Sequence, residues 1–255
     1  MEIAVCVKRV PQVGGRIVVT PDGRDVDTRM SGFAISPHEE CAVEEAVQIT
    51  ERLGGTVSVL TLGPAEAADQ LRDALALGAH RAVLLEDGGR EWGPAGTAAA
   101  IVAEAQRRAA EGVGYDLLLL GNEAADTGDY QVGVRVAHGL GWPCATGIKH
   151  LEISGDGVRA RREYRGREET FEFGLPAVVT VKEGINLPRY PSLPGRLRAK
   201  RAAIEQYQPQ WQPEGLRKRA LRVPDQPRQQ ATVLGTGADA VPALVRLLEE
   251  WGVLS

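Results

Sequence analysis

Apolar positions in the first half of the chain fall into short continuous runs that alternate with stretches of helical spacing. Ile3-Ala4-Val5-Cys6-Val7 contains no polar residue, the pattern of a parallel strand buried on both faces. Residues 56–61, 81–86 and 115–120 predict three further strands of this kind. Between the first two, Ala42, Ala46, Ile49 and Leu53 recur on one helical face from His38 to Leu53, with Val43 and Val47 beside them. Ser36 stands where an N-cap belongs, Pro37 falls in the first turn, and Glu39 lies three residues after Ser36, which spells a capping box. Residues 65–77 predict a second helix, stopped by Gly78, and residues 94–110 an alanine-rich third. Residues 16–28, with Ile17-Val18-Val19 and then Pro21-Asp22-Gly23, read as a turn-rich excursion or hairpin.

Strands alternating with helices predict an α/β fold with a mostly parallel, doubly wound sheet and right-handed crossovers. Ligands on such sheets bind at the carboxyl ends of the strands. That rule selects three segments: residues 8–11, 62–64 and 121–133. The third leaves a buried strand and enters a helix through small and polar residues, Gly121-Asn122-Glu123-Ala124-Ala125-Asp126-Thr127-Gly128-Asp129-Tyr130-Gln131-Val132-Gly133. Backbone N–H groups around Tyr130 to Gly133, at the positive end of a helix, suit a phosphate. The alternative is a capped loop with Asp129 as N-cap. The spacing matches neither GxGxxG nor GxxxxGK[ST], so it supports neither a dinucleotide-binding fingerprint nor a P-loop.

The texture changes after Trp142-Pro143. Residues 144–175 alternate in the manner of antiparallel strands around the turn at Tyr164-Arg165-Gly166-Arg167, and Arg159, Arg161, Arg162, Arg165 and Arg167 fit a solvated outer face. Residues 176–181 return to buried-strand character and can rejoin the main sheet. Pro188, Pro191 and Pro194 follow, then a short helical stretch at residues 196–203, in which four of the six residues from Arg196 to Arg201 are basic. A long Pro- and Gln-rich connection leads to an amphipathic helix at residues 241–251, whose tethering predicts packing on a partner subunit.

Composition narrows the function classes. The 255 residues carry 30 basic and 34 acidic side chains, a formal charge of -4, and offer no global electrostatic case for nucleic acid. An RNA-binding reading of the two arginine clusters also lacks interleaved aromatics. The three cysteines, Cys6, Cys41 and Cys144, lie far apart, which excludes a disulfide framework and a zinc site and fits a reducing cytoplasm. No apolar run approaches the roughly 20 residues that span a bilayer, and the first ten residues read as a strand, not an export signal. The four histidines show no ligand spacing, and no nucleophile-base pair emerges, so the chain reads as a non-enzyme without a metal site. An ATP-dependent adenylyl transferase or ligase on a related fold would need basic or histidine motifs near its phosphates, and the three loops contain none.

Val5-Cys6-Val7-Lys8-Arg9-Val10, Ser36-Pro37 followed by Ala42-Val43-Glu44-Glu45-Ala46, Thr61-Leu62-Gly63-Pro64, residues 74–79, the 121–133 loop, residues 175–180 and Asn186-Leu187-Pro188-Arg189-Tyr190 together resemble the beta subunit of electron transfer flavoprotein. The likeness runs from Met1 to about Glu205. It implies a Rossmann-like, adenine-nucleotide-binding α/β domain over residues 1–185, with 144–175 as antiparallel extension, a partner-docking segment over 186–203, and a C-terminal arm over 204–255 whose helix packs on the alpha subunit. It further implies a cytoplasmic heterodimer that carries electrons from flavin dehydrogenases, such as acyl-CoA dehydrogenases in fatty acid oxidation, to a quinone reductase or other acceptor.

In such proteins the redox FAD belongs mainly to the alpha subunit, and the beta subunit shields it while burying a structural AMP. Electron-bifurcating relatives hold a second FAD in place of the AMP. By resemblance, the nucleotide site falls on Cys6, Ser36, Leu62, Gly63, Asp126, Asp129, Tyr130, Gln131, Val132 and Gly133, with the phosphate on the backbone of residues 130–132 and Asp126 orienting the loop. Docking to the dehydrogenase falls on Tyr190, Leu193, Arg196 and Arg198, with Leu193 entering an apolar pocket of the partner. The sequence departs from the family at Ser36, where Asn is usual, at Glu123, where Gln is usual, and at Val13, where some members place an aromatic near the flavin. Gln131-Val132-Gly133 is closer to the FAD-binding relatives. The longer match through Pro188-Arg189-Tyr190 and Leu193-Pro194 favours AMP.

Overall fold

The computed structural model describes residues 1–12, 17–213, 215, 218–224 and 232–254. The first strand, β1 (Glu2–Cys6), is followed by a two-residue pair, β2 (Val10–Pro11) and β3 (Phe33–Ala34), and then by α1 (Pro37–Leu53), β4 (Thr56–Gly63), α2 (Ala68–Leu77), β5 (Arg81–Glu86), α3 (Pro94–Ala110), β6 (Leu117–Gly121) and α4 (Val132–Leu140). The second half contributes β7 (Cys144–Ile148), β8 (His150–Ser154), β9 (Gly157–Tyr164), β10 (Arg167–Gly174), β11 (Ala177–Val181), α5 (Leu193–Arg201), β12 (Glu205–Tyr207) and α6 (Val241–Glu250). Seven strands form one sheet in the order β12-β5-β4-β1-β6-β11-β7. Every pairing within it is parallel.

Alternation along each strand divides the core in two. Ile3 and Val5, Val57 and Val59, Leu117 and Leu119 pack with α1 and α2 on one face, while Ala4 and Cys6, Leu60, Leu118 and Leu120 pack with α3 and α4 on the other. This is the doubly wound architecture that the uninterrupted apolar runs require, since a strand covered on both faces has no solvated side to spare for polar residues. Leu117, Leu118 and Leu119 are fully buried, each worth about 2 kcal/mol relative to exposure. Helix α1 begins as its sequence specifies, with Pro37 in the first turn and Ser36 and Glu39 in a capping box. Gly78 ends α2 at a φ of 132, a backbone conformation that glycine adopts without steric cost.

The sheet takes in two segments that the sequence pattern sets outside it. Residues 144–148, read as antiparallel, form β7 and pair parallel with β11, because Ala145 and Ile148 turn into the core shared by α1 and the sheet. Residues 205–207, read as the start of an arm, form β12 on the opposite edge beside β5. Too short to show a pattern of its own, β12 is held there by ion pairing of Glu205 with Arg81 and by Arg107 lying 4.1 Å over the Tyr207 ring.

Strands β8, β9 and β10 form the antiparallel extension. Arg159 and Arg161 occupy the polar face as the alternation predicts, paired with Glu172 and with Glu152 and Glu168, whereas Arg162 turns to the other face, over the Phe171 ring, where it pairs with Glu169 and donates to Thr146. The excursion around residues 19–26 closes as a hairpin-like turn, with a bridge between Val19 and Val26. Val13 lies outside the described residues. Among the described residues, no helix is long and apolar enough to cross a membrane.

Candidate functional site

Strands β4 and β5 lie on one side of β1, and β6 lies on the other. The chain therefore reverses direction across the sheet beside β1, and the loops leaving the strands there splay apart and leave a crevice. A cavity of about 300 Å³ opens at this point, lined by the ends of β1, β4, β5 and β6 and by the starts of α3 and α4. Its size matches the smaller end of small-molecule sites.

The cavity wall includes Cys6, Leu62, Gly63, Asp129, Tyr130, Gln131, Val132 and Gly133. The remaining two predicted residues, Ser36 and Asp126, are not among those that line it. Ser36 is buried as the N-cap of α1, one turn from Glu39, which does reach the cavity. Asp126 pairs with Lys8 Nζ at 2.8 Å, tying the loop after β1 to the loop after β6, and also accepts the Thr127 N–H at 2.9 Å.

The start of α4 differs from the sequence expectation. Asp129 is not its N-cap. Tyr130 takes a left-handed φ of 57, which breaks the chain direction after Asp129, and Gln131 becomes the N-cap. The Gln131 side chain makes no capping bond and instead accepts from Arg135 at 2.9 Å. The first N–H groups of α4 thus lack both an intrahelical acceptor and a capping side chain, and carry the positive end of the helix. A bulky residue in left-handed conformation is uncommon and is retained where its surroundings hold it. Gly133 is needed for a different reason: a Cβ there would collide with Thr180 Cγ2, so only glycine lets α4 sit this close to β11.

Electrostatically the floor is quiet. Burial, aided by neighbouring Glu39, pushes the Cys6 thiol up to about 12, so it stays neutral. Burial pushes the Glu39 carboxyl up to about 7, against the opposing effect of N–H groups from Lys8 and Ser36. Thr61 Oγ1, buried in the same wall, has no hydrogen-bond partner among the described residues. A buried hydroxyl without a partner is costly and suits a polar ligand in the cavity.

The Electron transfer flavoprotein domain model matches residues 26–210. Electron transfer flavoprotein subunit beta of Bacillus subtilis is 38% identical over 208 residues, covering 81% of this chain and 78% of its own. The human subunit beta is 37% identical over 210 residues, with 82% of each chain covered. The chain belongs to the electron transfer flavoprotein beta-subunit family. A mitochondrial subunit beta from Oryza sativa subsp. indica aligns over the whole of both chains at 34% identity. The parallel sheet with its antiparallel extension is the architecture of a beta subunit, and the family is one of electron-transfer flavoproteins.

Sequence reasoning missed one wall of the beta-subunit cavity, the loop from β5 to α3. Asp87, Arg90, Trp92, Gly93, Pro94 and Thr97 all line it. The strand-end rule applied to β5 as well, and Gly88-Gly89 and Gly93-Pro94 mark a loop entering a helix, so the signal was present. Glu39 was read only as a capping residue, because nothing local reveals that α1 starts beneath Gly121. A Cβ on Gly121 would lie 2.7 Å from Glu39 Cγ.

The segment expected to dock a dehydrogenase is exposed. Leu193, at the first turn of α5, is 72% exposed and Tyr190 is 95% exposed, so internal packing of Leu193 is excluded. Arg196 and Arg198 are also exposed, with Arg198 donating to the Leu75 carbonyl at 3.3 Å. The segment is fixed from beneath. Asn186 donates to the Cys41 carbonyl and Glu45, and Arg189 pairs with Glu44 and Glu51 on α1.

Proposed function

We propose that this chain is the beta subunit of a heterodimeric electron transfer flavoprotein, without catalytic residues of its own, that buries a structural AMP and shields the FAD of an alpha subunit. The observation that carries the nucleotide reading is the cavity at the topological switch point, with the uncapped start of α4 on its wall and an unpartnered Thr61 hydroxyl beside it. The residues fit AMP. The N–H groups of residues 130–132, at the start of α4, would receive the phosphate, and Asp126, paired to Lys8, would hold the loop in place.

An FAD held between this chain and the alpha subunit would supply the redox chemistry by which electrons from a flavin dehydrogenase, such as an acyl-CoA dehydrogenase, reach a quinone reductase or other acceptor. This chain contributes position and exclusion of water. Exposed Leu193, followed by Arg196 and Arg198, provides an apolar anchor with basic neighbours for an acidic partner surface. The exposed Val241, Leu244 and Val245 of α6 support its packing on the alpha subunit, since none of its residues is buried against the described residues of this chain.

The deciding experiment is the nucleotide content of the protein co-expressed with its alpha subunit, released by denaturation and separated by chromatography. One FAD and one AMP per heterodimer is the expected result. Two FAD and no AMP would replace it with the bifurcating form, and one FAD with no AMP would overturn the reading of the cavity.

A further inference from the structure

The cavity wall that sequence reasoning missed carries an indole. Trp92 is half-buried: it packs against the core formed by α3 and the sheet and also lines the cavity. Its Nε1 donates to the Asp87 carbonyl at 2.9 Å, which fixes the plane of the ring. The loop bearing it is pinned at several points: Asp87 N–H donates to the Gly63 carbonyl at 3.1 Å, Gly89 N–H donates to Asp87 Oδ1 at 2.7 Å, and Trp211 Nε1 donates to the Glu91 carbonyl at 3.1 Å. An aromatic face held this firmly is a preorganised surface and loses little freedom when it accepts a ligand.

Its position relative to the start of α4 is also informative. Strands β5 and β6 are three strand spacings apart in the sheet, about 14 Å at their ends. A mononucleotide lying along this cavity with its phosphate at α4 extends its base across the ends of β1 and β4, toward the side lined by the loop after β5. Between them the floor is apolar, with Leu62 and Leu85 on the way. Tyr130 is the other aromatic residue in the wall, and it stands at the phosphate end.

Resting on the nucleotide reading above, we propose that Trp92 is the base-recognising residue of this cavity, its indole stacking on the adenine of AMP. Stacking is sequence-tolerant in general, since every base has a π face, so the residue reads the presence of a planar base and its size, while the phosphate end supplies the charge recognition.

The test compares AMP with ribose 5-phosphate, which keeps the phosphate and sugar but lacks the base. Both are measured on the full-length chain after removal of bound nucleotide, AMP by direct titration and ribose 5-phosphate as its competitor. Trp92→Leu keeps apolar bulk without a π face, and Trp92→Phe keeps a ring while losing the bond to Asp87. AMP affinity is expected to fall about tenfold in Trp92→Leu and to stay within about threefold in Trp92→Phe, with ribose 5-phosphate unchanged in both. Equal losses for AMP and ribose 5-phosphate, an unchanged AMP affinity in Trp92→Leu, or the same AMP loss in both variants would overturn the stacking role while leaving the cavity a nucleotide site. Failure of the unmodified chain to bind either compound would remove the nucleotide reading and this inference with it.

Discussion

Glu39 meets two demands at once: its side chain accepts the Ser36 N–H at 3.2 Å to start α1, and the same carboxyl ends up sealed beneath the strand ends at 6% exposure. The cost is borne by its ionised form, which burial disfavours and moves the carboxyl to about 7. A carboxyl whose folded pKa is raised contributes most below its unfolded value near 4.5 and progressively less as pH rises through 7. Folding stability is thus expected to fall by about 3 kcal/mol between those limits from this group alone. Glu39→Gln keeps a capping side chain and should flatten that slope in urea titrations run from pH 4.5 to 8. A slope equal to the parent's would show that Glu39 is not its source. At the other side of the cavity, Val132 occupies the first turn of α4. Val132→Glu is compatible with a helix start but places an anion where the phosphate is proposed, and AMP content should drop at least about tenfold. AMP retained at parental levels would count against the phosphate position.

At the scale of elements, α5 illustrates how a helix is held by one face and offered by the other. Gly195 lies so near α2 that a Cβ would stand 2.6 Å from the Ala76 carbonyl oxygen, and Ala199 is buried beside it. Leu193 and Leu197 point away and remain exposed. An exposed leucine adds nothing to folding, so Leu193→Ala should leave the thermal midpoint within error. If Leu193 anchors the dehydrogenase, losing a buried contact of about 2 kcal/mol should slow flavin reduction by roughly tenfold or more at limiting partner concentration. Stopped-flow rates equal to those of the parent would remove Leu193 from docking.

The whole molecule separates into a sheet-centred body and a C-terminal helix with no buried residue of its own. Val241, Leu244, Val245 and Trp251 are exposed together, which is sustainable in water only at some expense in solubility or with a partner to cover them. A chain ending at residue 231 should keep the parent's unfolding free energy in urea to within about 0.5 kcal/mol yet fail to co-purify with the alpha subunit. Unimpaired co-purification would show that α6 is not part of that interface.

Local pattern was sufficient for the body of the fold. The apolar runs at 3–7, 56–61, 81–86 and 117–120 could only be strands covered on both sides, and Ser36, Pro37 and Glu39 set the start of α1 because capping involves neighbours in sequence. The same reasoning located three of the four loops that meet at the cavity, since the strand-end rule depends on element order alone. Other features depended on contacts between distant residues. Strand β12 exists because Arg81 and Arg107 receive Glu205 and Tyr207, and β7 is parallel because β11 returns beside it. Asp129 loses its capping place to the left-handed turn at Tyr130. Burial of Glu39 beneath Gly121, exposure of Leu193 and entry of Trp92 into the cavity wall all follow from how elements pack, and three-dimensional packing density is not written in any short window of sequence.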